Sequence, residues 1–477
     1  MEIQIGKRDV AWGYIAIIFN FGTGFFTLPF ILSMLSTEEI GMNYLMLTIS
    51  SLVGLADFGF SQQLGRNLTY TFSGAQSIKK EGVVQSVSSS VNYHLVAVLI
   101  KTAKYIYFRL SIIILLIMLT LGTLYIHYVT DGFSNVPNSL FVWILFSISV
   151  FFNFYYKYYT TLLTGSSLIM QYNKSCIYSK MVYLAVCIPL LFCGFGLLSV
   201  VFANFISPFI QRFYSHLSFF TKEMREPLKN ETVSKSEIKE MTITQWYNAK
   251  RLGIIFVAQY GINQSGLFLC GLFLSLADIA AYGLLMQLSS AILCSVSKSL
   301  FNSVSPLFAK DVVQKNKDAL LRHFSLGNFV FLSVFVAGSL IIIFAAPWVL
   351  RVIHSNSNLP SVLVMSVFLI DALLDYNHSN FNYIFMAENS YPFMKADIFT
   401  GISVVIINFI TLYFTDWGLL GVVAGRLLCQ LTYNDWKWPL AASRKMGIPL
   451  WRFAMVGYDE TLYKVKNLLA INKRKIS

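Results

Sequence analysis

Leu35-Ser36-Thr37-Glu38-Glu39-Ile40 reads against Leu274-Ser275-Leu276-Ala277-Asp278-Ile279, and the two stretches run on to Ser50-Ser51 and Ser289-Ser290. The offset is about half the chain. Further along, Gly196-Leu197-Leu198-Ser199-Val200-Val201 reads against Gly418-Leu419-Leu420-Gly421-Val422-Val423. The second half therefore repeats the first. Two similar helical bundles packed around a shared centre are the architecture of many secondary transporters. The repeat points to movement of a solute rather than to the making or breaking of a bond.

Composition places both copies in a membrane. Of 477 residues, 56% are hydrophobic and 12% are charged, against about 25% charged in a soluble domain. Mean hydropathy is +0.61. The net charge of +13 does not argue for nucleic acid, because the basic residues sit in short segments between apolar stretches, where membrane topology puts them. Lys7 and Arg8 precede an apolar stretch from Val10 to Leu35. It is too long for a signal-peptide core and reads as a first transmembrane helix. The cysteines lie in apolar helices without a C-x-x-C pair and read as small buried hydrophobes.

About twelve apolar segments are long enough to cross a hydrocarbon core of roughly 30 Å. The predicted fold is an all-α polytopic membrane protein with two six-helix lobes. Residues 1–216 form the N-terminal lobe, 217–249 a cytoplasmic linker, 250–440 the C-terminal lobe, and 441–477 a basic amphipathic tail on the inner leaflet. A similar surface segment is expected from Ala75 to His94. One set of loops collects Lys79, Lys80, Lys101, Lys104, Lys174, Lys222, Arg225, Lys310, Lys315, Lys317, Arg322 and Lys395, while the alternate set holds essentially Arg351. The first set, and both termini, are predicted to be cytoplasmic. The outer loops are too short for a sizeable domain.

Ionisable residues inside spans are costly and are functional candidates. Asp371, Asp375, His378 and Asn382 follow spacings of four, three and four, so they share one helix face. Two carboxylates one turn apart repel, which suits proton- or cation-coupled gating; a structural interhelical network is the other reading. Arg426 sits in Gly418-x-x-Gly421-x-x-x-Gly425-Arg426, where the glycines allow close helix approach. It pairs with Asp371 and Asp375, or it contacts a phosphate. Its repeat-equivalent is Asn204. Lys157, among Tyr155, Tyr156, Tyr158 and Tyr159, either snorkels to the cytoplasmic surface or offers a cation to a ligand. Asn20, Thr23, Gly24 and Thr27 match Gln259, Asn263 and Gln264 in register and are expected to line a cavity. Asp57 is expected to pair with Arg66 at the cytoplasmic mouth. No P-loop, G-x-G-x-x-G or H-E-x-x-H is present, so neither ATP-driven transport by this chain nor a cofactor is expected.

A family resemblance rests on Asp9-Val10-Ala11-Trp12-Gly13-Tyr14, Leu28-Pro29, Leu35 to Gly41, Asp57-Phe58-Gly59-Phe60 and Arg66-Asn67. These closely resemble Wzx-like O-antigen and polysaccharide flippases of the multidrug/oligosaccharidyl-lipid/polysaccharide exporter superfamily. The resemblance is densest over residues 9–82. It implies two six-helix lobes forming a V around a central cavity. It also implies a non-enzyme that moves a polyprenyl (undecaprenyl)-pyrophosphate-linked oligosaccharide across the bacterial inner membrane by alternating access. The implied partners are that glycan, membrane lipids and the polysaccharide polymerase machinery; a monomer is the default. Candidate ligand contacts are then Arg426, Lys157, Asn20, Gln259, Asn263, Gln264 and Arg66. Candidates for gating or coupling to H+ or Na+ are Asp371, Asp375, His378 and Asp57.

Two other classes compete. A cation- or proton-coupled multidrug or metabolite antiporter of the same superfamily would show efflux without a glycan defect. A membrane glycan polymerase or ligase would need catalytic groups on outer loops, where Glu38 and Glu39 are the few available. The flippase reading expects replacement of either glutamate by alanine to be nearly silent.

Overall fold

The computed structural model describes residues 7–78, 91–290, 301, 307–308, 311–312, 314–388, 390 and 392–476. Every secondary-structure element among them is helical. Among the described residues, seven helices are long and apolar enough to cross a membrane, or eight if one bent pair counts as a single span. Most of the predicted Ala75–His94 surface segment lies outside the described residues.

The chain divides into two compact units. One comprises Met1–Val257 with Ser275–Ala277 and Ile353–Ser357; the other comprises Ala258–Leu274, Asp278–Val352 and Asn358–Ser477. In unit 1, α1 (Lys7–Met34) runs through Pro29. Then come α2 (Thr37–Leu55), α3 (Phe60–Phe72), α4 (Tyr93–Ile117) and α5 (Thr123–Val129), followed by α6 (Ser139–Gly165), α7 (Ile169–Phe192) and α8 (Leu197–Phe219). Helix α7 packs on α8 and α1, and α6 packs on α8 and α4. A π-turn at Met118–Gly122 joins α4 to α5. A Cβ on Gly122 would lie 2.6 Å from the Trp143 ring, so glycine makes room for the largest fully buried side chain of this unit. The indole N–H donates to Thr123 Oγ1 at 3.0 Å, satisfying a group that would be costly to bury alone.

Sequence chemistry fixes the start of α2. Ser36 and Glu39 form a reciprocal capping box, which satisfies two orphan N–H groups. The same carboxylate reaches further: Glu39 Oε1 accepts the backbone N–H of Leu197 at 2.8 Å, at the start of α8. Glu39 is buried and joins two helix N-termini. The expectation that its replacement is nearly silent is therefore corrected.

Helices α2 and α3 meet at a 48° bend. Phe58 (φ 44°) and Gly59 (φ 81°) take left-handed backbone there, and the Phe58 ring packs edge-on against Trp246 at 5.6 Å. The break leaves Asp57 at the end of α2, with its side chain turned into the unit.

The polar linker holds α9 (Lys222–Lys229) and the start of α10 (Lys235–Asn263). His94 at the start of α4 contacts Glu231 at 2.8 Å and Glu237 at 2.7 Å. Bonds from Ser234, and then from His94, hold the Glu237 carboxyl down to about 2.

Unit 2 contains the end of α10, then α11 (Ser265–Phe273), α12 (Leu276–Ser289), α13 (Lys317–Leu340) and α14 (Ala346–Val352). It continues with α15 (Val362–Met386), α16 (Met394–Phe414), α17 (Gly418–Thr432), α18 (Asn434–Met446) and α19 (Leu450–Ile476). Helix α15 packs on α17 and α18, and α16 packs on α17. The glycines predicted to permit close approach do so: a Cβ on Gly425 would meet Ile407 Cγ2 at 2.7 Å. The basic tail is helical and docks on α13, with Phe453 against Phe324 and Phe381 at 5.5 and 5.3 Å.

The repeat is visible in the backbone. Helix α2 at Thr37 and helix α12 at Leu276 each begin at the residue that follows the leucine-serine pair of the comparison. Gly196 and Gly418, at the starts of α8 and α17, both have positive φ, 55° and 53°.

Candidate functional site

The α15 stripe faces the interior of unit 2. Asp371, Asp375 and His378 are placed by spacing on one face, and α17 brings Arg426 against them. Arg426 Nη2 donates to Asp375 Oδ2 at 2.9 Å and to Asn263 Oδ1 at 3.1 Å. Its Nε lies 3.2 Å from Asp371 Oδ2, at ion-pair distance but without hydrogen-bond alignment. Asp371 is fully buried. Gln430 donates to the other Asp375 oxygen at 2.9 Å. His378 Nδ1 lies 3.0 Å from Asp435 Oδ1, and its Nε2 lies 3.8 Å from Asp375 Oδ1. Such buried ions persist only when paired and hydrogen-bonded.

A cavity of about 520 Å³ opens beside this network. Its wall includes Gln259, Asn263, Gln264, Asp375, His378, Asn382, Asp397 and Arg426. The structure thus gathers most of the predicted second-half residues at one cavity, with Asp371 behind the wall. Asp435, Gln430 and Asp397 were missed. Asp435 follows the span among tryptophans, and only its Asn434-Asp435 polar pair inside Tyr433–Trp438 signalled it.

Unit 1 builds a different site. Tyr107 Oη donates to Asp57 Oδ1 at 2.6 Å, Ser61 Oγ donates to the same oxygen at 2.9 Å, and Lys157 Nζ lies 3.2 Å from Asp57 Oδ2. The expected Asp57–Arg66 pair is not formed. The bend after α2 turns Asp57 toward α4 and α6, while Arg66 is exposed and donates to Gln63 one turn earlier. Lys157 consequently has a fixed anionic partner and does not simply snorkel. The side chain of Asn20 lies outside the described residues, so its assignment to a cavity has no structural counterpart here.

Two chambers share Lys157, Thr160 and Tyr172. The larger, about 580 Å³, is lined by Ser61, Gln62, Gly65, Thr69, Lys157, Thr160, Thr161, Thr164, Gly165 and Tyr172. Close approach of α3 and α6 shapes it: a Cβ on Gly165 would stand 2.8 Å from the Gly65 carbonyl oxygen. The smaller, about 140 Å³, includes Asn153, Gln211, Arg212 and Ser215. The Arg212 guanidinium lies over the rings of Tyr156 and Tyr159, at 4.9 and 5.6 Å. Arg212 and Ser215 were not among the expected contacts; their four-residue window on α8, facing the Tyr156–Tyr159 stretch, was the available signal.

No known family profile matches the chain, and no characterised sequence does. Solved structures do match. A multidrug resistance MATE family transporter of the MOP superfamily, in its inward-facing conformation, superposes with a TM-score of 0.63 at 13% identity, covering 92% of this chain and 99% of that one. The lipid II flippase MurJ, in an inward closed conformation, gives a TM-score of 0.63 at 12% identity, covering 97% and 93%. The fold is one that both kinds of transporter share. MATE in its straight conformation matches with a TM-score of 0.51 at 13% identity, over 92% and 97%. The chain is thus a multi-pass membrane protein with a transporter fold.

Proposed function

We propose that the chain is a flippase for a polyprenyl (undecaprenyl)-pyrophosphate-linked oligosaccharide, serving O-antigen or another surface polysaccharide. It would act without enzymatic chemistry, by alternating access, in a bacterial inner membrane with both termini cytoplasmic. The observation that carries the proposal is the 580 Å³ chamber of unit 1. Ser61, Thr69, Thr160, Thr161, Thr164 and Tyr172 present hydroxyls there, and Gln62 an amide. The serine and threonine hydroxyls already donate to Asp57 or to backbone carbonyls, so they offer acceptor lone pairs to the hydroxyls of a sugar, and the Gln62 amide can both donate and accept. The volume falls in the usual range for small-molecule sites. Among the described residues the charged group on the wall is Lys157, whose ammonium is paired with Asp57 behind it. A sugar-diphosphate head cannot cross hydrocarbon unaided, because each unsatisfied polar group costs several kcal/mol.

In this reading Arg426, Asp371, Asp375 and His378 form the coupling element of unit 2, with Gln259, Asn263 and Gln264 at its cavity. H+ or Na+ exchange among the carboxylates, or withdrawal of product by the polymerase machinery, would set direction. That carboxylate network also favours a second reading, a cation- or proton-coupled antiporter for drugs or metabolites.

The test is leaflet-resolved tracking of undecaprenyl-pyrophosphate-linked glycan in inverted vesicles with and without the chain. Protein-dependent transfer supports the flippase. Unchanged distribution at normal expression, together with gradient-driven efflux of a cationic dye, would establish the antiporter instead.

A further inference from the structure

The charge distribution of unit 1 carries a statement about which glycan the flippase accepts, and it rests on the reading just proposed. Lys157 reaches the chamber wall with 38% of its side chain exposed, but its ammonium is paired with Asp57, whose own side chain is 9% exposed. Asp57 does not line the chamber. It stands behind Lys157 and Ser61, fixed by Tyr107 and Ser61. The large chamber therefore presents hydroxyls and an already neutralised cation. Arg212, next door, differs. Its Nε–H has no hydrogen-bond partner among the described residues, nor has the fully buried hydroxyl of Ser215 on the same chamber. An unpartnered guanidinium N–H and an unpartnered hydroxyl on one chamber make an anion subsite. At about 140 Å³ it is below the size of ordinary ligand sites, suited to a phosphoryl group and not to a sugar ring.

We infer that unit 1 sorts its substrate by charge: Arg212 and Ser215 take a phosphoryl group, and Asp57, by neutralising Lys157, restricts the adjoining chamber to an uncharged sugar. A glycan whose first sugar is acidic would place its carboxylate near the Asp57–Lys157 pair without a free cation to meet it. Asp57 is in this sense a positioning and charge-masking residue, not a ligand contact.

Two probes separate the possibilities: geranyl diphosphate linked to N-acetylglucosamine, and geranyl diphosphate linked to glucuronic acid. Both carry the same diphosphate. Affinities are measured on the full-length protein in nanodiscs. The wild type should prefer the neutral sugar by about tenfold or more. Asp57→Asn should release Lys157 and reduce that preference to about threefold or less, while Asp57→Glu keeps it. Arg212→Gln should weaken both probes by about tenfold without altering their ratio. Should Asp57→Asn fail to fold, Lys157→Met tests the same pair from the other side and should widen the preference. Equal wild-type affinities, or a ratio indifferent to Asp57 and Lys157, overturn the inference while leaving the flippase reading intact. Binding of both probes unchanged by Arg212→Gln overturns the phosphoryl subsite. Binding of neither probe to the wild type overturns the flippase reading as well.

Discussion

The two units put polar side chains on matching helices but give them different chemistry. With the spacing that relates Gly196 to Gly418, Asn153 on α6 corresponds to Asp375 on α15, and Asn204 on α8 corresponds to Arg426 on α17. In unit 1 Asn153 Nδ2 donates to the Ser149 carbonyl at 3.1 Å, and Ser149 Oγ donates to the Asn204 carbonyl at 3.0 Å. In unit 2 the same positions hold an ion pair at 2.9 Å. A neutral pair can be separated at modest cost. An ion pair in a low-dielectric interior resists separation of its charges, and each partner alone is expensive. The difference teaches that one repeated scaffold can hold the same two positions with neutral hydrogen bonds in one half and with an ion pair in the other.

Removing the cation tests that contrast most severely. Arg426→Met leaves Asp371 and Asp375 unpaired and should destabilise the protein by about 3–5 kcal/mol and abolish transport. Thermal unfolding and the vesicle assay read the two effects. Adding Asp371→Asn should restore part of the stability, since the two residues share one network. A milder loss in the double variant than in the single one is the expected sign of coupling.

The glycines that open α8 and α17 come next. Ala at either position is strained by positive φ. A Cβ on Gly196 would also lie 2.3 Å from Glu39 Oε1, whereas at Gly418 the nearest atom is Leu274 Cδ2 at 3.9 Å. Gly418→Ala should therefore cost about 1 kcal/mol, and Gly196→Ala distinctly more. Equal losses would mean that Glu39 yields freely and that its link to Leu197 is weak. Glu39→Ala should itself cost about 1–2 kcal/mol, through the lost cap and the buried N–H of Leu197.

Asn153→Ala, the neutral counterpart of an attack on Asp375, should cost only about 1 kcal/mol. A loss as large as that of Arg426→Met would erase the distinction between the units. The smallest effect is expected in the solvated linker. The Glu237 carboxyl is depressed from 4.5 to about 2, so its contribution is complete above the unfolded value and is lost as pH falls through about 2. Glu237→Gln should move the melting midpoint by no more than about 2 °C at pH 7, and by less as pH approaches 2.

Much of this was legible in the sequence because membrane burial writes itself into long patterns. The α15 stripe, its glycine-bearing partner helix and the repeat followed from spacing alone. The Arg426 pairing was one of two stated readings, and the choice between them needed three-dimensional distance. Asp57 was assigned the wrong partner because Arg66 is near in sequence. Its real partner, Lys157, lies on another helix, and the left-handed break at Phe58-Gly59 decides which way the carboxylate turns. The combination of Arg212 with Ser215 escaped notice because it lies in hydrogen bonds they do not make, which no pattern of residue types encodes.

The paired glycines have a further use as a ruler. Side-chain chemistry differs between the halves to the point that an asparagine stands where the other half has an arginine, yet the positive φ at the start of each of the two helices favours glycine. Counting from Gly196 in one half and Gly418 in the other assigns every residue of these helices a counterpart, whatever it has become. A duplication that substitution has blurred elsewhere stays readable from these two turns of backbone.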